Sequence, residues 1–346
     1  MDLEMLRKRA AIIQGVRRFF DGRGYLEVDT PLLAPDLIPE SCLEVFKTTQ
    51  LPAANSTRQA ARDYWLVPSP EIWMKKLIAE HRTDMYQICK CFRNCESWGS
   101  SHSPEFTMLE YYTMDADYTD SLGNTEDLFE ALASHGGSAL APPFVRWTMD
   151  EAFTRLAGFS LTEALKDGTL PGKARGLGLD PPDGASAGDI YNLVFIHAVE
   201  PRLPRERPLA LLDYPAAVPC LAKLNTGDDG VSVTRQRWEL YVRGIELANC
   251  YSEETDADAA RNFFLSEQEV KNRSAAVPHE VDGDYWKIFL PRKTAEGGES
   301  PFPRCSGVAL GLDRLIMALT ERKTIDGVLP FPMAPLGEKR SERYGE

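Results

Sequence analysis

The sequence predicts an α+β fold in which a mostly antiparallel sheet is flanked by helices. Several segments alternate apolar and polar residues as strands do, and short turns separate them. Segments with apolar residues at three-to-four spacing, typical of amphipathic helices, stand apart from these strands. Strands that follow strands, instead of alternating strictly with helices, favour antiparallel pairing. No internal repeat or clear linker divides residues 1–346, so we expect a single domain.

The first part of the chain supplies a helix and a hairpin. Residues 3–20 have the amphipathic spacing, and Gly22 and Gly24 would end this helix. The next predicted elements are a short strand in YLEVDTPLL, a strand, turn and helix over 64–80, and strands over 84–92 and 105–112. The last two strands enclose the Gly/Ser-rich segment ESWGSSHSP, which predicts an antiparallel hairpin with a long loop.

The rest of the chain mixes weakly and strongly patterned segments. Residues 135–188 are rich in Gly, Pro and Ala, and we expect an irregular insertion with short helices there. The later predicted elements are a strand over 208–218, two strands over 237–250 that meet near Gly244, a polar helix over 256–273, and a strand that continues into a helix over 305–320.

Composition limits the class of protein. Hydrophobic residues make up 43% of the chain and charged residues 26%, as in an ordinary globular protein. No segment reaches the roughly 18 continuous apolar residues of a membrane span, and MDLEMLRKRAAIIQ lacks the pattern of a secretory signal. Seven scattered cysteines suit free thiols in a reducing cytosol, so we expect a cytoplasmic protein. The cluster of Cys89, Cys91 and Cys95 has no second half-site, which favours buried thiols over a zinc site.

The net charge of −13 argues against a large nucleic-acid partner. Proteins that wrap long nucleic acids usually carry a basic excess, because neutralised phosphates supply much of the affinity. A local basic patch is still compatible with this charge, but tRNA becomes a less favoured partner.

Scattered cations are the candidate phosphate ligands. The chain contains neither a GxxxxGK[ST] loop nor a strand-borne GxGxxG segment. Arg93, His102 and Arg314 could hold a triphosphate instead, since the planar guanidinium suits paired contacts to phosphate oxygens. Each of these residues taken singly is also typical of a surface or salt-bridged side chain.

Carboxylates form the second set of candidates. Glu239 and Glu246 could bind Mg²⁺ through oxygen ligands, because they belong to neighbouring predicted strands. Glu71, Glu110 and Glu253 lie near apolar or aromatic residues, as the acids of a cation-binding pocket would. An ordinary acidic surface is the alternative, and the spacing alone does not decide between the two.

Several segments resemble the signature motifs of class II aminoacyl-tRNA synthetases. Motif 2 is similar to FRNCE…HSPEFTMLEYY, and motif 3 is similar to GVALGLDRL. The DTP at residues 29–31, with the preceding helix, resembles motif 1, which implies a homodimer. Three further segments resemble the lysyl-tRNA synthetase core: SPEIWMKKL, PEFTMLEYY and WELYVRGIELANCYSEETD. The resemblance covers residues 3–332 and is weakest across 135–188.

The position of the first helix refines this resemblance. Lysyl-tRNA synthetases carry an anticodon-binding β-barrel before the motif 1 helix, and this sequence begins almost on that helix. The chain therefore resembles the core-only elongation factor P (EF-P) lysine ligases. This resemblance implies activation of lysine or (R)-β-lysine with ATP and Mg²⁺, and transfer to a lysine side chain of EF-P.

The resemblance also implies a role for each candidate residue. Arg93 and Arg314 are the expected catalytic residues, acting on the phosphates of ATP. The expected ATP-binding residues are Arg93, Asn94, Glu96, His102, Ser103, Phe106, Glu246, Leu247, Gly311 and Arg314. The expected substrate-binding residues are Ser69, Pro70, Glu71, Glu110, Tyr112, Asn249, Glu253 and Ala309. The expected Mg²⁺ ligands are Glu239 and Glu246.

Four departures from the lysyl-tRNA synthetase pattern stand near these residues. Ala309 replaces a glycine of motif 3 and matches the ligase branch; its methyl group could shift the preference between α- and β-amino acids, or be neutral. Cys95 stands where a glutamate is usual in a motif 2 loop that looks one residue longer, so that role would pass to Glu96. Ser103 replaces the usual asparagine, and Cys250 replaces a glycine.

Three other functions are compatible with the sequence. One is a stand-alone lysyl-tRNA synthetase-like enzyme, and another is a small-molecule amino acid ligase. The third is a non-catalytic regulatory paralogue, which would be expected to lack phosphate-binding or Mg²⁺-binding groups. The chain retains those groups, so we favour an enzyme.

Overall fold

The computed structural model describes residues 3–53, 60–95, 100–136, 140–226, 234–293 and 298–333. Its α-helices, in chain order, are α1 Leu3–Gly22, α2 Glu71–His81, α3 Tyr118–Ala131, α4 Met149–Leu156, α5 Leu161–Lys166, α6 Leu170–Gly176, α7 Ala187–Val194, α8 Ala257–Ser274 and α9 Leu312–Leu319. Its first strands are β1 Leu26–Glu27, β2 Leu33–Ala34, β3 Phe46–Gln50, β4 Arg62–Leu66, β5 Met85–Phe92, β6 Glu105–Met114 and β7 Val145–Thr148. The later strands are β8 Leu209–Pro215, β9 Thr234–Val242, β10 Ile245–Ser252, β11 Arg292–Lys293, β12 Glu299–Ser300 and β13 Cys305–Gly311.

An eight-stranded sheet forms the centre of the fold, in the order β1-β5-β6-β13-β10-β9-β8-β7. Its two outermost pairs, β1–β5 and β7–β8, are parallel. The five pairs between them are antiparallel. A three-stranded sheet, β2-β4-β3, lies beside it in the described part of the chain. The prediction of a mostly antiparallel α+β fold is therefore confirmed.

The helix α1 packs its apolar stripe against this sheet. Ile12, Val16 and Phe20 are buried at the spacing of one helix face. The Phe20 ring stacks on Tyr86 of β5 with their centroids 4.8 Å apart. Gly24, with a φ of 79°, takes the left-handed conformation that ends the helix, as predicted.

Local turn chemistry explains the hairpin β9–β10. Arg243 and Gly244 have φ values of 55° and 78°. Two successive residues with positive φ form the kind of tight turn whose twist matches two antiparallel strands. The predicted pair of strands that meet near Gly244 is confirmed.

Residues 135–188 are more regular than the sequence pattern indicates. The described part of this segment contains α4, α5, α6 and β7, and α7 begins at its end. Thr148 caps α4 through a reciprocal pair of hydrogen bonds with Glu151, and Ser186 caps α7 in the same way with Asp189. The strand β7, which we did not predict, extends the central sheet beside β8.

None of the helices in the described ranges is long and apolar enough to cross a membrane.

Candidate active site

One row of side chains crosses four neighbouring strands of the central sheet. The Cα partners in register are Glu110 on β6, Ala309 on β13, Asn249 on β10 and Glu239 on β9. Residues directly opposite one another in a sheet have their side chains on the same face. Residues expected to bind substrate and metal are thus brought together, although they are far apart in the sequence.

A second row lies two residues further along the same strands. It contains Tyr112, Gly307, Tyr251 and Arg237. Because side chains alternate along a strand, this row faces the same side as the first. The two rows form the floor of a polar depression in the sheet.

Gly307 leaves the space into which two of these side chains extend. A Cβ atom at Gly307 would lie 2.5 Å from Glu253 Oε1 and 2.6 Å from Tyr112 Cε1. Both distances are shorter than real Cβ contacts. Glu253 and Tyr112 can therefore occupy these positions only above a residue without a side chain.

Two adjoining cavities open above this face. The large chamber, of about 360 Å³, is lined by residues that include Arg93, His102, Phe106, Glu239, Glu246 and Arg314. The acidic chamber, of about 100 Å³, is lined by residues that include Ser69, Glu71, Lys75, Glu110, Tyr112 and Glu253. The two chambers share part of their lining, including Glu40, Arg93, Asn249, Tyr251 and Ala309. One continuous site could thus hold a larger and a smaller group next to each other.

The hairpin β5–β6 presents a cation and an aromatic ring to the large chamber. Arg93 directly follows β5, and its Cζ atom is 5.3 Å from the centroid of the Phe106 ring on β6. This distance is typical of a cation–π contact. His102 and the buried Ser103, from the loop of the same hairpin, also line the chamber.

Two hydrogen bonds fix Arg314 at the lining of the large chamber. Its Nε donates a hydrogen bond to the Ser101 carbonyl at 3.1 Å, and its Nη1 donates to the Glu246 carbonyl at 2.7 Å. These bonds tie the start of α9 to the loop before β6 and to β10. Gly311 and Leu247, which we expect to bind ATP, also line this chamber.

Glu239 and Glu246 line the same chamber from two paired strands. Burial raises the pKa of Glu246 to about 7, the charge of Glu239 adds to this rise, and Arg314 acts against it. Glu239 Oε1 is 2.6 Å from Arg237 Nη2, and Glu239 Oε2 accepts a hydrogen bond from Tyr241 OH at 2.8 Å. Glu239 is buried and Glu246 is half-buried, and two neighbouring carboxylates that repel each other fit a hard divalent cation with oxygen ligands. In the described ranges no group of three or more His, Cys, Asp or Glu side chains could hold a metal ion, so a cation here would need phosphate oxygens as further ligands.

The acidic chamber is built around a buried lysine. Lys75 Nζ lies 2.6 Å from Glu71 Oε1 and 2.8 Å from Glu253 Oε2. Burial raises the pKa of Glu253 to about 7, and the neighbouring Lys75 limits the rise. Burial likewise raises the pKa of Glu40 to about 7, with Glu71 adding to the rise. Several carboxyls thus compete for few cations in this chamber.

Glu110 keeps one carboxyl oxygen without a hydrogen-bond partner. Its Oε1 accepts from Tyr112 OH at 2.8 Å, whereas its buried Oε2 has no such bond. Burial, followed by the charge of Glu71, raises the pKa of Glu110 well above its usual range. A ligand with a hydrogen-bond donor would satisfy this oxygen.

The remaining predicted residues are placed differently. Asn94 hydrogen-bonds to the carbonyl of Val45, 3.3 Å away, and does not line either chamber. Pro70 directly precedes α2, and its neighbours Ser69 and Glu71, not Pro70 itself, line the acidic chamber. Glu96 lies outside the described residues.

The site residues that were not predicted from the sequence include Arg237, Lys75 and Glu40, and also Tyr251 and Gly307 of the second row. Arg237 bonds to Glu239 and to Asn249, whose Oδ1 accepts from Arg237 Nε at 3.1 Å. Lys75 and Glu40 line the acidic chamber. Arg237 stands two residues before Glu239 on the same strand, and this alternation was a usable signal. For Lys75 and Glu40 the sequence offers no comparable pattern.

The cysteine cluster has no metal-site geometry. Cys89 and Cys91 have their sulfur atoms 3.7 Å apart on β5, and Cys95 is exposed. All seven cysteines are free thiols. Of the three thiols expected to be buried, Cys91 is buried, Cys89 is half-buried, and Cys95 is exposed, so the prediction is wrong for Cys95.

The family of the chain follows from comparison with known proteins. The family described as tRNA synthetases class II (D, K and N) matches residues 2–335. The chain belongs to this family. By the resemblance noted above, motif 2 of the class II synthetases corresponds to β5–β6 of this chain, and motif 3 corresponds to β13–α9. Residues of these elements line the large chamber.

Two similar proteins share one name. The elongation factor P–(R)-β-lysine ligase of Avibacterium paragallinarum is 32% identical over 329 residues, which cover 95% of each chain. The protein of that name from Photobacterium profundum is 33% identical over 333 residues, with 96% of each chain covered. The lysine–tRNA ligase of Pelotomaculum thermopropionicum is 32% identical, and the match covers 95% of this chain but 63% of that protein.

Proposed function

We propose that this class II protein uses ATP to activate a lysine-like amino acid, (R)-β-lysine, as an aminoacyl-adenylate, and transfers it to a lysine side chain of elongation factor P. The main support for this proposal is the net charge of the acidic chamber. Its lining includes the carboxyl groups of Glu40, Glu71, Glu110 and Glu253 and the cations of Lys75 and Arg93. With all four carboxyls ionised, their negative charges outnumber the cations of the chamber, and this excess suits a ligand with more than one ammonium group.

The pKa values in this chamber support a cationic ligand. Glu40 and Glu253 have pKa values raised to about 7, first of all by burial. An ammonium group nearby would favour their ionised forms, because an opposite charge within a few ångströms lowers a carboxyl pKa. A substrate with one ammonium group would leave a buried charge or a buried proton unmatched, and this selects a diamino acid.

The two chambers suit the two halves of the proposed reaction. The amino acid carboxylate attacks the α-phosphorus of ATP and pyrophosphate leaves, with Arg93 placed where the chambers join. Arg314 would hold the outer phosphates. The amine of the acceptor lysine then attacks the adenylate carbonyl, AMP leaves, and the amine loses a proton. No enzyme nucleophile is needed, since positioning and charge stabilisation supply the catalysis.

A divalent cation fits this proposal. Glu239 and Glu246 would hold Mg²⁺ together with phosphate oxygens, and the ion would neutralise charge on the phosphates. The proposal also includes a homodimer formed through α1, as the motif 1 resemblance implies, and a cytoplasmic location, with which the free thiols agree. The names of the relatives from Avibacterium and Photobacterium support EF-P as the acceptor.

A transfer assay tests the proposal. Purified EF-P and tRNA are each incubated with enzyme, ATP, Mg²⁺ and either (R)-β-lysine or lysine, and the products are measured by intact mass. We expect EF-P to gain the mass of one aminoacyl group and tRNA to stay unmodified. Arg93→Ala and Glu246→Ala are expected to abolish pyrophosphate exchange, whereas Arg273→Ala, which changes an exposed arginine, should retain it.

The assay also separates the second candidate. The similarity to the lysine–tRNA ligase of Pelotomaculum favours tRNA as an alternative acceptor. Aminoacylated tRNA with unmodified EF-P would overturn the proposal in favour of that candidate. Modification of neither acceptor, with exchange intact, would point to a small-molecule acceptor.

A further inference from the structure

Lys75 links two parts of the acidic chamber that are distant in the sequence. It lies on α2, one helical turn after Glu71, and Glu253 follows β10. The Lys75 side chain has 0% of its surface exposed, and its ammonium is 2.6 Å from Glu71 Oε1 and 2.8 Å from Glu253 Oε2. One nitrogen therefore fixes the distance between the two carboxyl groups.

The ammonium of Lys75 stays charged in this environment. Burial acts to lower the pKa of Lys75, but the charges of Glu253 and Glu71 outweigh it and raise the pKa well above its usual value. An unpaired buried ammonium would instead lose its proton or destabilise the fold. Lys75 is thus a permanent cation inside a chamber expected to receive a cationic ligand.

The positive charge of Lys75 would repel a cationic ligand, so Lys75 must have a role other than direct contact with that ligand. Glu71 and Glu253 each use one oxygen on Lys75, and the second oxygens, Glu71 Oε2 and Glu253 Oε1, are not part of these ion pairs. Glu253 Oε1 lies over Gly307, where no side chain obstructs it. The two carboxyls are thereby held at a fixed separation.

We infer that Lys75 is a positioning residue, whose ammonium holds one oxygen each of Glu71 and Glu253 so that their second oxygens can bind the ammonium groups of a diamino acid. This inference rests on the proposed function, because it assigns the same chamber to that substrate. Lys75 acts through the two carboxyls and does not itself contact the substrate.

The charge of Lys75 also sets the pH range in which the chamber can bind a cation. The pKa of Glu253 is about 7, raised first by burial and held down by Lys75. Without Lys75 this pKa would rise further, so that Glu253 would be neutral at pH 7 and would bind an ammonium group weakly. The other ionisable groups around Glu253 and Lys75 on the surrounding elements are Glu40, Glu71, Arg93, Glu110, Tyr112, Cys250, Tyr251, Glu254, Tyr285 and Cys305.

Lys75→Met, which keeps much of the shape and removes the charge, tests the inference. In amino acid-dependent ATP–pyrophosphate exchange, we expect the KM for (R)-β-lysine and for lysine to rise about 10- to 100-fold at pH 7, the loss expected for one charge-assisted hydrogen bond. The KM for ATP should change by less than about twofold, because the large chamber is unaltered. The pH at which the amino acid KM reaches its minimum should shift upward.

Lys76→Met is the matched control. Lys76 is the next residue on the same helix, but its ammonium pairs with Asp282 at 2.6 Å, and it does not line the acidic chamber. This variant should keep the wild-type KM values and pH profile. Equal effects of the two substitutions would mean that Lys75 acts through general helix stability, and would overturn the inference.

A second variant guards against loss of folding. If Lys75→Met does not fold, as judged by thermal unfolding, Lys75→Gln separates the two effects: its amide can donate to both carboxyls without the charge, so the pH of the KM minimum should still shift upward while the amino acid KM rises by less than about 10-fold. A folded neutral variant with the wild-type KM and pH profile would overturn the inference while leaving the proposed function intact. Wild-type enzyme that shows no exchange with any diamino acid would instead overturn the proposed function.

Discussion

Gly307→Ala is the sharpest test of how the acidic chamber is shaped. The added methyl group would lie 2.5 Å from Glu253 Oε1 and 2.6 Å from Tyr112 Cε1, so one or both side chains must move. Glu253 and Tyr112 are both buried, with exposed fractions of 2%, and have little space into which to move. Displacement of Glu253 also separates it from Lys75, which it contacts at 2.8 Å.

The expected magnitude combines two costs. Inserting a methyl group into a packed site costs about 1–3 kcal/mol of folding free energy. Loss of one charge-assisted hydrogen bond to the substrate costs about 1.5–3 kcal/mol of binding free energy, which corresponds to a rise in KM of about 10- to 100-fold. Because Gly307 lies in the second row of the floor, beneath the acidic chamber, we expect this rise for the amino acid and not for ATP.

Gly311→Ala provides the comparison on the same strand. Its added methyl would be 3.5 Å from Arg314 Cδ and 3.6 Å from the Leu247 carbonyl oxygen, which are ordinary contacts. The fold should accept it with little loss of stability, while the KM for ATP rises, because Gly311 lines the large chamber that we assign to ATP. ATP–pyrophosphate exchange with each substrate varied in turn measures both effects. Gly307→Ala with an unchanged amino acid KM would refute the assignment of the acidic chamber to the amino acid.

Three further predictions concern the same framework. Arg237→Met should lower the exchange rate by about 100-fold with modest loss of stability, because Glu239 loses the guanidinium that orients it at 2.6 Å; steady-state kinetics with thermal unfolding as the folding control will measure this. Arg9→Met should lower the free energy of unfolding by about 3–5 kcal/mol in denaturant titrations, because it leaves Asp313, 2.6 Å away and buried, without its counter-ion; a loss below about 1 kcal/mol would show that the pair is dispensable. The pKa of Glu246 is raised from 4.5 to about 7 in the folded state, so the folded protein holds a proton that the unfolded chain releases. This contribution to stability is present below pH 4.5 and is lost as the pH rises through 7. The melting temperature should therefore fall across this pH window, and Glu246→Gln should make the melting temperature less dependent on pH.

The fold was predictable where local sequence decides it. The hairpin of β9 and β10 follows from alternating residues around Arg243 and Gly244, whose backbone angles suit the turn. The strand β7 was missed because it has four residues without clear alternation, and its partner β8 lies far along the chain. A short edge strand of this kind is specified by the sheet that it joins, not by its own sequence.

Many of the expected site residues line the two chambers, but their arrangement could not be predicted from the sequence. Motif resemblance supplied Glu110, Asn249 and Glu239, whereas their alignment in one row depends on the long-range register of four strands. The burial of Lys75 could not be read from the helix pattern, because one lysine of a Lys-Lys pair resembles an ordinary surface residue. Its two carboxyl partners come from different elements, and only the tertiary fold brings them together.

The strand β13 explains why this acidic depression exists in the middle of a sheet. Gly307, Ala309 and Gly311 occupy alternate positions, so the face between β6 and β10 carries a single methyl group over five residues. Glu110 and Asn249 stand on either side of Ala309, two strand spacings or about 9–10 Å apart at their Cα atoms. An extended diamino acid laid across this small-residue strand could reach a carboxylate with one end and an amide with the other. A larger side chain at Gly307 or Ala309 would fill the gap, so these two small residues of β13 set the depth of the acidic chamber and the charged residues of its neighbours set its selectivity.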